Sequence, residues 1–208
     1  MRTVIAIPPM PRMTGGIAVL YQVADRLREC GHQIALAGEP TAPGLAARAE
    51  AGARVLPWSG VAGRSGPAAI GPEDIFLVAE GWPNMMAPAL AAKSQVAVYV
   101  QNWAYLYSAL PQGVSWRDLP VSFLAVSHPV ARFRGEAGGW PVSGVIRPMI
   151  DTALFRPGDA LPGKVIRIGW MPRKNKALAE QIRRITEAAL HGGPRLHWME
   201  IHNMSREE

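Results

Sequence analysis

The stretches SGVIRPMIDTALFRP, residues 143–157, and KVIRIGWMPRKNK, residues 164–176, decide how this sequence is divided into domains. Each is a short run of apolar, mostly β-branched residues that breaks into a loop containing proline. Short runs of this kind are typical of buried parallel strands. We therefore expect one α/β domain to end in the first stretch and another to begin in the second. In paired α/β domains, ligands usually bind in the cleft between the domains.

Upstream of residue 143, short apolar runs alternate with amphipathic helical patterns. The predicted strands cover residues 2–7, 33–37, 53–57, 74–79, 95–100 and 121–126. The clearest predicted helix covers residues 17–29, whereas residues 59–72 are rich in Gly, Ser and Pro and predict a loop. Alternation of this kind predicts an α/β fold with a doubly wound, Rossmann-like parallel sheet.

The second stretch begins a smaller α/β pattern. Strands are predicted at residues 165–169 and 195–201, with a helix at residues 176–190 between them. Residues 205–208, Ser-Arg-Glu-Glu, are similar to a capping box, which opens a helix. We therefore expect the start of a second Rossmann-like domain that is cut off after about β-α-β. An apolar surface left uncovered by that cut is expected to promote self-association.

These patterns predict three segments. Residues 1–155 form an N-terminal Rossmann-like domain, residues 156–163 a linker, and residues 164–208 an incomplete second domain.

Composition restricts the partners and the compartment. The chain has 208 residues, of which 49% are hydrophobic, so global disorder is not expected. Its net charge of +6 favours an anionic partner, such as nucleotide phosphates or lipid head groups. Nucleic acid is not expected because no recognition motif is present. A single cysteine, Cys30, excludes an intrachain disulfide and favours a reducing compartment. The apolar run 4–7 is too short for a signal peptide. We expect a cytoplasmic protein, and peripheral attachment to a membrane stays open.

Polar or glycine-rich residues follow several predicted strands. Gly15 and Gly16 allow backbone amides to approach an oxygen-rich ligand at a helix start, although a simple tight turn explains them equally well. The other candidates for contact with a polar ligand are Glu80, Gln101, Asn102, Trp103 and His128. For Trp103, aromatic packing is at least as good an explanation. For His128, a structural role at a helix start is favoured, with Ser127 as the N-cap.

The basic residues Arg173, Lys174 and Lys176 follow a predicted strand and precede a predicted helix. Fixed cations at such a position can stabilise a diphosphate leaving group, whereas most basic clusters are solvated loops. The histidines lack the spacing of zinc ligands, so no metal site is predicted.

Several of these segments resemble one enzyme family. Val145–Asp151, followed by Phe155 and Pro157, is similar to the V-I-P-N-G-I-D-x-x-x-F-x-P segment of the retaining "group 1" nucleotide-sugar glycosyltransferases, which have GT-B architecture. The pair Gly15-Gly16 matches their early glycines, and residues 169–174 resemble their donor-phosphate loop. Two departures exist: Pro148-Met149 replaces the usual Asn-Gly, and the motif of two glutamates around Gly-Phe-Gly is absent.

The resemblance implies transfer of a sugar from a nucleoside-diphosphate donor to a glycan or lipid-linked acceptor, with retention and without a further cofactor. It implies that Arg173, with Lys174 or Lys176, holds the donor phosphates near Gly15 and Gly16. It also implies contact with the sugar or the acceptor for the polar and aromatic candidates, namely Glu80, Gln101, Asn102, Trp103 and His128. Without the glutamate motif, turnover by this chain alone is in doubt, and no catalytic residue is assigned. The alternative is a non-catalytic α/β module that binds an anionic glycan or a protein partner.

Overall fold

A computed structural model describes residues 1–63, 66–153, 155–156, 165–172 and 175–201. The chain divides into two compact units, Met1–Asp151 and Thr152–Glu208. Within the described ranges, no helix combines the length and the apolar composition that a membrane span needs.

The first unit is built on a parallel sheet, which confirms the predicted α/β class. Its strands, as far as the chain is described, are β1 Thr3–Ala6, β2 Ile34–Gly38, β3 Val55–Pro57, β4 Ile75–Ala79, β5 Gln95–Val100, β6 Val121–Ala125 and β7 Gly144–Val145. They are arranged in the order β3-β2-β1-β4-β5-β6-β7, and every neighbouring pair is parallel. The chain therefore winds outward from β1 to one side and resumes at β4 on the other. This change of direction places a topological switch point between β1 and β4.

Helices connect these strands. They are α1 Gly15–Glu29, α2 Leu45–Glu50, α3 Trp58–Ala62, α4 Ala87–Ala91, α5 Trp103–Leu106 and α6 His128–Phe133. Two apolar clusters cover the two faces of the sheet, because successive side chains of a strand point to opposite faces. Phe76 and Val78 pack in one cluster with Val61 of α3, whereas Leu77 packs in the other with Leu20 of α1.

The prediction of a loop over residues 59–72 is wrong in part. The structure has α3 at Trp58–Ala62 and a 3₁₀ turn at Gly66–Ala68. Both elements contribute to the core, since Val61 is fully buried and Ala68 is 6% exposed. A Cβ on Gly60 would lie 2.8 Å from the Cβ of Ala68. The glycines here thus allow close packing of two short helical segments, which a composition rich in Gly and Pro did not indicate.

The second unit contains β8 Val165–Trp170, α7 Lys176–Ala189 and β9 Arg195–Glu200. The two strands pair in parallel, with Val165 opposite Arg195 and Trp170 opposite Glu200. Asn175 caps α7, because its Oδ1 accepts a hydrogen bond from Leu178 N at 3.0 Å. The predicted capping box at residues 205–208 lies outside the described residues.

The apolar side of α7 is exposed and predicts self-association. Leu178, Ile182 and Ile185 are 50%, 52% and 60% exposed, and burying them against a second copy removes apolar area from water. Light scattering over a concentration series should show a rising mass, which the double change Ile182→Glu with Ile185→Glu should abolish. A control with Gln181→Glu and Ala188→Glu adds the same charges to exposed positions of α7. A constant monomer mass for the unmodified chain would contradict this expectation.

Candidate functional site

The carboxyl ends of β1, β4 and β5 meet at one edge of the sheet. Because the three strands are parallel neighbours, the loops that follow them lie together beside the switch point. The first loop leads into α1 at Gly15, the second begins at Glu80, and the third begins at Gln101. This edge therefore collects most of the polar residues that the sequence indicated in this unit.

Gly15 and Gly16 occupy different environments at the start of α1. Gln101 Nε2 donates a hydrogen bond to the carbonyl oxygen of Gly16 at 3.1 Å. A Cβ on Gly16 would lie 3.1 Å from Gln101 Oε1, whereas a Cβ on Gly15 would meet no atom of the described residues within 4 Å. Thr14 caps the helix, with its Oγ1 accepting from Ile17 N at 3.4 Å. Gly16 thus allows α1 to pack closely against the Gln101 side chain, and Gly15 leaves open space at the helix N-terminus.

Glu80 is buried beneath the loop that begins at Gln101 and holds its backbone. Its side chain is buried, with the residue 3% exposed, and its Oε1 accepts a hydrogen bond from the backbone N–H of Asn102 at 2.7 Å. Burial raises the pKa of Glu80, and the backbone amides of Gln101 and Asn102 oppose that shift. The structure therefore places Glu80 where it fixes the backbone at Gln101 and Asn102.

Tyr99 ties the same region to the end of β7, a contact that the sequence analysis missed. Its hydroxyl donates to the carbonyl oxygen of Ile146 at 2.6 Å. Burial, together with the charge of Glu80, raises the pKa of Tyr99 to about 12. A tyrosine in the otherwise apolar strand Gln95–Val100 was a signal for such a contact, because a buried phenol needs a hydrogen-bond partner.

Aromatic side chains line the short helix after Asn102. Asn102 caps α5, since its Oδ1 accepts from Ala104 N at 3.1 Å. The Trp103 ring lies 4.3 Å from that of Phe133 in α6, yet the residue remains 44% exposed. Tyr105 and Tyr107 are also exposed. Trp103 is therefore partly packed and partly available to a ligand.

His128 is the first residue of α6 and is exposed. Ser127 caps this helix, with its Oγ accepting from Val130 N at 3.4 Å, which confirms the predicted N-cap. Lys176 is the first residue of α7 and is exposed, whereas Arg173 and Lys174 lie outside the described residues. Over the described ranges, no group of three or more His, Cys, Asp or Glu side chains is arranged to hold a metal ion.

A cavity of about 210 Å³ lies elsewhere in the first unit, beside β2 and the turn before β3. Its lining includes Arg28, Arg48 and Arg54, together with Asp25, which is ion-paired with Arg28 at 3.4 Å and also with Arg48. Asp25 offsets only one of these three positive charges, so the cavity keeps a net positive charge. Ligands of open α/β sheets bind at the carboxyl ends of the strands. We therefore take the edge with Gly15 and Gln101 as the candidate site.

Comparison of the sequence with models of protein families finds no match, and comparison with curated proteins finds none either.

The raised pKa of Glu80 gives a testable dependence of stability on pH. Because its pKa is raised, the Glu80 carboxyl keeps its proton in the folded state over a pH range in which the unfolded state has already lost it. The free energy of unfolding therefore falls as pH rises from about 4.3, the usual pKa of glutamate, through the pKa of folded Glu80. Glu80→Gln removes this titration, so the variant should become progressively more stable than the wild type as pH rises. Urea unfolding between pH 4.5 and 8 measures the difference.

Glu73→Gln is the control, because it makes the same substitution at an exposed residue and should change stability little. A Glu80→Gln variant that instead loses stability relative to wild type with rising pH would show that the amides of Gln101 and Asn102 stabilise the carboxylate more than burial penalises it.

Proposed function

We propose that this chain binds a nucleoside-diphosphate sugar and an acceptor, as part of a retaining glycosyltransferase with GT-B architecture. One observation carries the proposal. The N-terminus of α1, which is open at Gly15, and the polar residues Gln101 and Asn102 lie at the same edge of the sheet. The resemblance of residues 145–151 and 169–174 to segments of that family supports the same function.

The chemistry of this edge suits a sugar phosphate. The first amides of α1 have no carbonyl partner within their own helix and lie at its positive end, where phosphate oxygens bind well. The side-chain amides of Gln101 and Asn102 are hydrogen-bonding groups of the kind that bind sugar hydroxyls. The exposed part of Trp103 offers an apolar surface for a sugar ring.

Arg173 and Lys174 supply the cations in this proposal, and Lys176 adds a third. As the glycosidic bond breaks, negative charge grows on the diphosphate that leaves. Arginine binds two phosphate oxygens at once and lysine adds a point charge, so both lower the energy of that charged state.

The proposal assigns ligand binding, and no general base, to the described edge. Gln101 and Asn102 cannot accept a proton in the way a carboxylate does, and Glu80 is occupied beneath the loop. The acceptor in this proposal is a glycan or a lipid-linked acceptor. Contact with a membrane surface during transfer is compatible with the net positive charge.

Gly15→Val tests the proposed phosphate position. Because a Cβ here meets no atom of the described part of the chain within 4 Å, the change should preserve the fold while filling the space that a phosphate would use. Loss of even one charge-assisted hydrogen bond costs about 1.5–3 kcal/mol, so affinity should fall roughly tenfold to a hundredfold. Calorimetry with a panel of nucleoside diphosphates and their sugars measures this loss.

Gly135→Val is the matched control, because a Cβ at Gly135 also meets no atom within 4 Å in the ranges that the structure describes. The control should bind the diphosphates as the wild type does. Equal affinity of Gly15→Val and Gly135→Val would remove the start of α1 from the site. Binding of glycans without any binding of nucleoside diphosphates would instead favour the non-catalytic module.

A further inference from the structure

Among the residues that the structure describes, a buried arginine of the first unit lacks a hydrogen-bond partner. Arg134 begins a π-helical turn, Arg134–Gly138, that follows α6, and it is only 1% exposed. Its Nε, Nη1 and Nη2 atoms are buried, and no acceptor for them exists among the described residues. Charged groups in protein interiors are normally paired, because removing a charge from water costs several kcal/mol.

Two aromatic rings partly compensate this charge. The guanidinium carbon of Arg134 lies 3.2 Å from the centroid of the Phe123 ring and 5.1 Å from that of the Trp140 ring. Burial lowers the pKa of Arg134 to about 10, so the side chain is still a cation at neutral pH. Rings attract a cation through their faces, but they leave the in-plane N–H groups without acceptors.

The turn after α6 brings a further donor to the same place. A Cβ on Gly138 would lie 2.4 Å from a ring carbon of Trp140, and Gly139 has a φ of +65°, so both positions favour glycine. These glycines allow the Trp140 ring to fold back against the turn. Its Nε1 is buried and also has no acceptor among the described residues. Arg117 covers the turn, with Nη2 donating to the carbonyl oxygen of Gly138 at 3.3 Å.

We propose that Arg134 and the indole N–H of Trp140 form a buried site for one small oxyanion, a carboxylate or a phosphate group. The guanidinium presents a planar fork that matches two oxygens of such a group. A water molecule can accept a hydrogen bond from one of these N–H groups, but it brings no negative charge to the guanidinium. This site lies on the face of the sheet that carries Phe123. It includes none of the residues that are proposed to hold the donor sugar. It is therefore a separate function of the first unit.

Thermal unfolding in different salts tests this site. The protein is refolded from urea at pH 7 and equal ionic strength in sodium phosphate, sodium acetate or sodium chloride, so that an enclosed anion can enter during folding. The wild type should unfold at a higher temperature in an oxyanion than in chloride, by roughly 5–10 °C when the anion is at one hundred times its dissociation constant. The phosphate and acetate samples distinguish the two anion classes.

In the Arg134→Met variant, the rise in unfolding temperature that saturates with anion concentration should be lost. Arg132→Met is the matched control, because Arg132 is an exposed arginine of α6 and its loss should leave the shift intact. Trp140→Phe keeps an aromatic ring without the N–H and should reduce the shift. If Arg134→Met does not fold, Arg134→Lys keeps the charge without the fork and should show a smaller shift than the wild type.

Two results would overturn the proposal. One is an unfolding temperature of the wild type that is equal in chloride, acetate and phosphate. The other is a shift in folded Arg134→Met, or in Arg134→Lys, as large as in the wild type, because phosphate also stabilises proteins without binding them.

Discussion

Replacing Arg173 and Lys174 together by alanine should weaken the binding of nucleoside diphosphates by on the order of tenfold to a thousandfold or more. Each charge-assisted contact to a phosphate contributes about 1.5–3 kcal/mol, so losing one contact costs at least about tenfold and losing both costs roughly a hundredfold or more. The loss should become smaller at high salt, where screening has already weakened binding to the wild type. Calorimetry at two salt concentrations measures both effects.

A charge-matched control comes from α1. Arg26→Ala with Arg28→Ala also removes two positive charges, but from residues whose ion pairs with Glu29 and Asp25 are largely exposed and contribute little. This control should retain the wild-type affinity. If the two double variants bind equally well, the basic residues after β8 belong to a solvated loop rather than to a phosphate site.

Phe76→Ala should destabilise the first unit by about 3–5 kcal/mol, because it removes a large buried side chain and leaves a cavity. Phe76 is fully buried in β4, which lies between β1 and β5. That loss is a large part of the 5–15 kcal/mol typical of a whole domain. Urea unfolding followed by circular dichroism measures it.

Tyr107→Ala is the control for this change, since it also truncates an aromatic ring but at a residue that is 60% exposed. Its free energy of unfolding should change by less than about 1 kcal/mol. A loss for Phe76→Ala no larger than that of the control would mean that the sheet does not pack as described.

The parallel sheet was predictable from the sequence because its strands are buried on both faces. The run QVAVYV at residues 95–100 is short and apolar, and the structure has β5 over the same residues. The segment at residues 59–72 was not predictable in the same way. Its few apolar residues, such as Val61 and Ala68, become part of the core only through packing on the rest of the unit.

The candidate site was predictable in its position but not in its contacts. Polar residues after parallel strands collect at one edge, so Gly16, Glu80 and Gln101 were expected there. Which of them turns inward depends on the path of each loop, and the sequence did not indicate that Glu80 lies beneath Asn102. Arg134 was missed because a charged residue near the end of a helix is normally solvated. Its burial follows from a π-helical turn that sequence periodicity does not reveal.

The central claim is that the sheet edge with Gly15, Gly16, Gln101 and Asn102 binds a nucleotide sugar. The most direct test is a titration of the ¹⁵N-labelled chain with a panel of nucleoside-diphosphate sugars, followed through the backbone amide signals. At least one donor should shift the amides of these four residues most strongly, in a saturable way. The claim is contradicted if no donor shifts them, or if the largest shifts lie at the cavity lined by Arg28, Arg48 and Arg54.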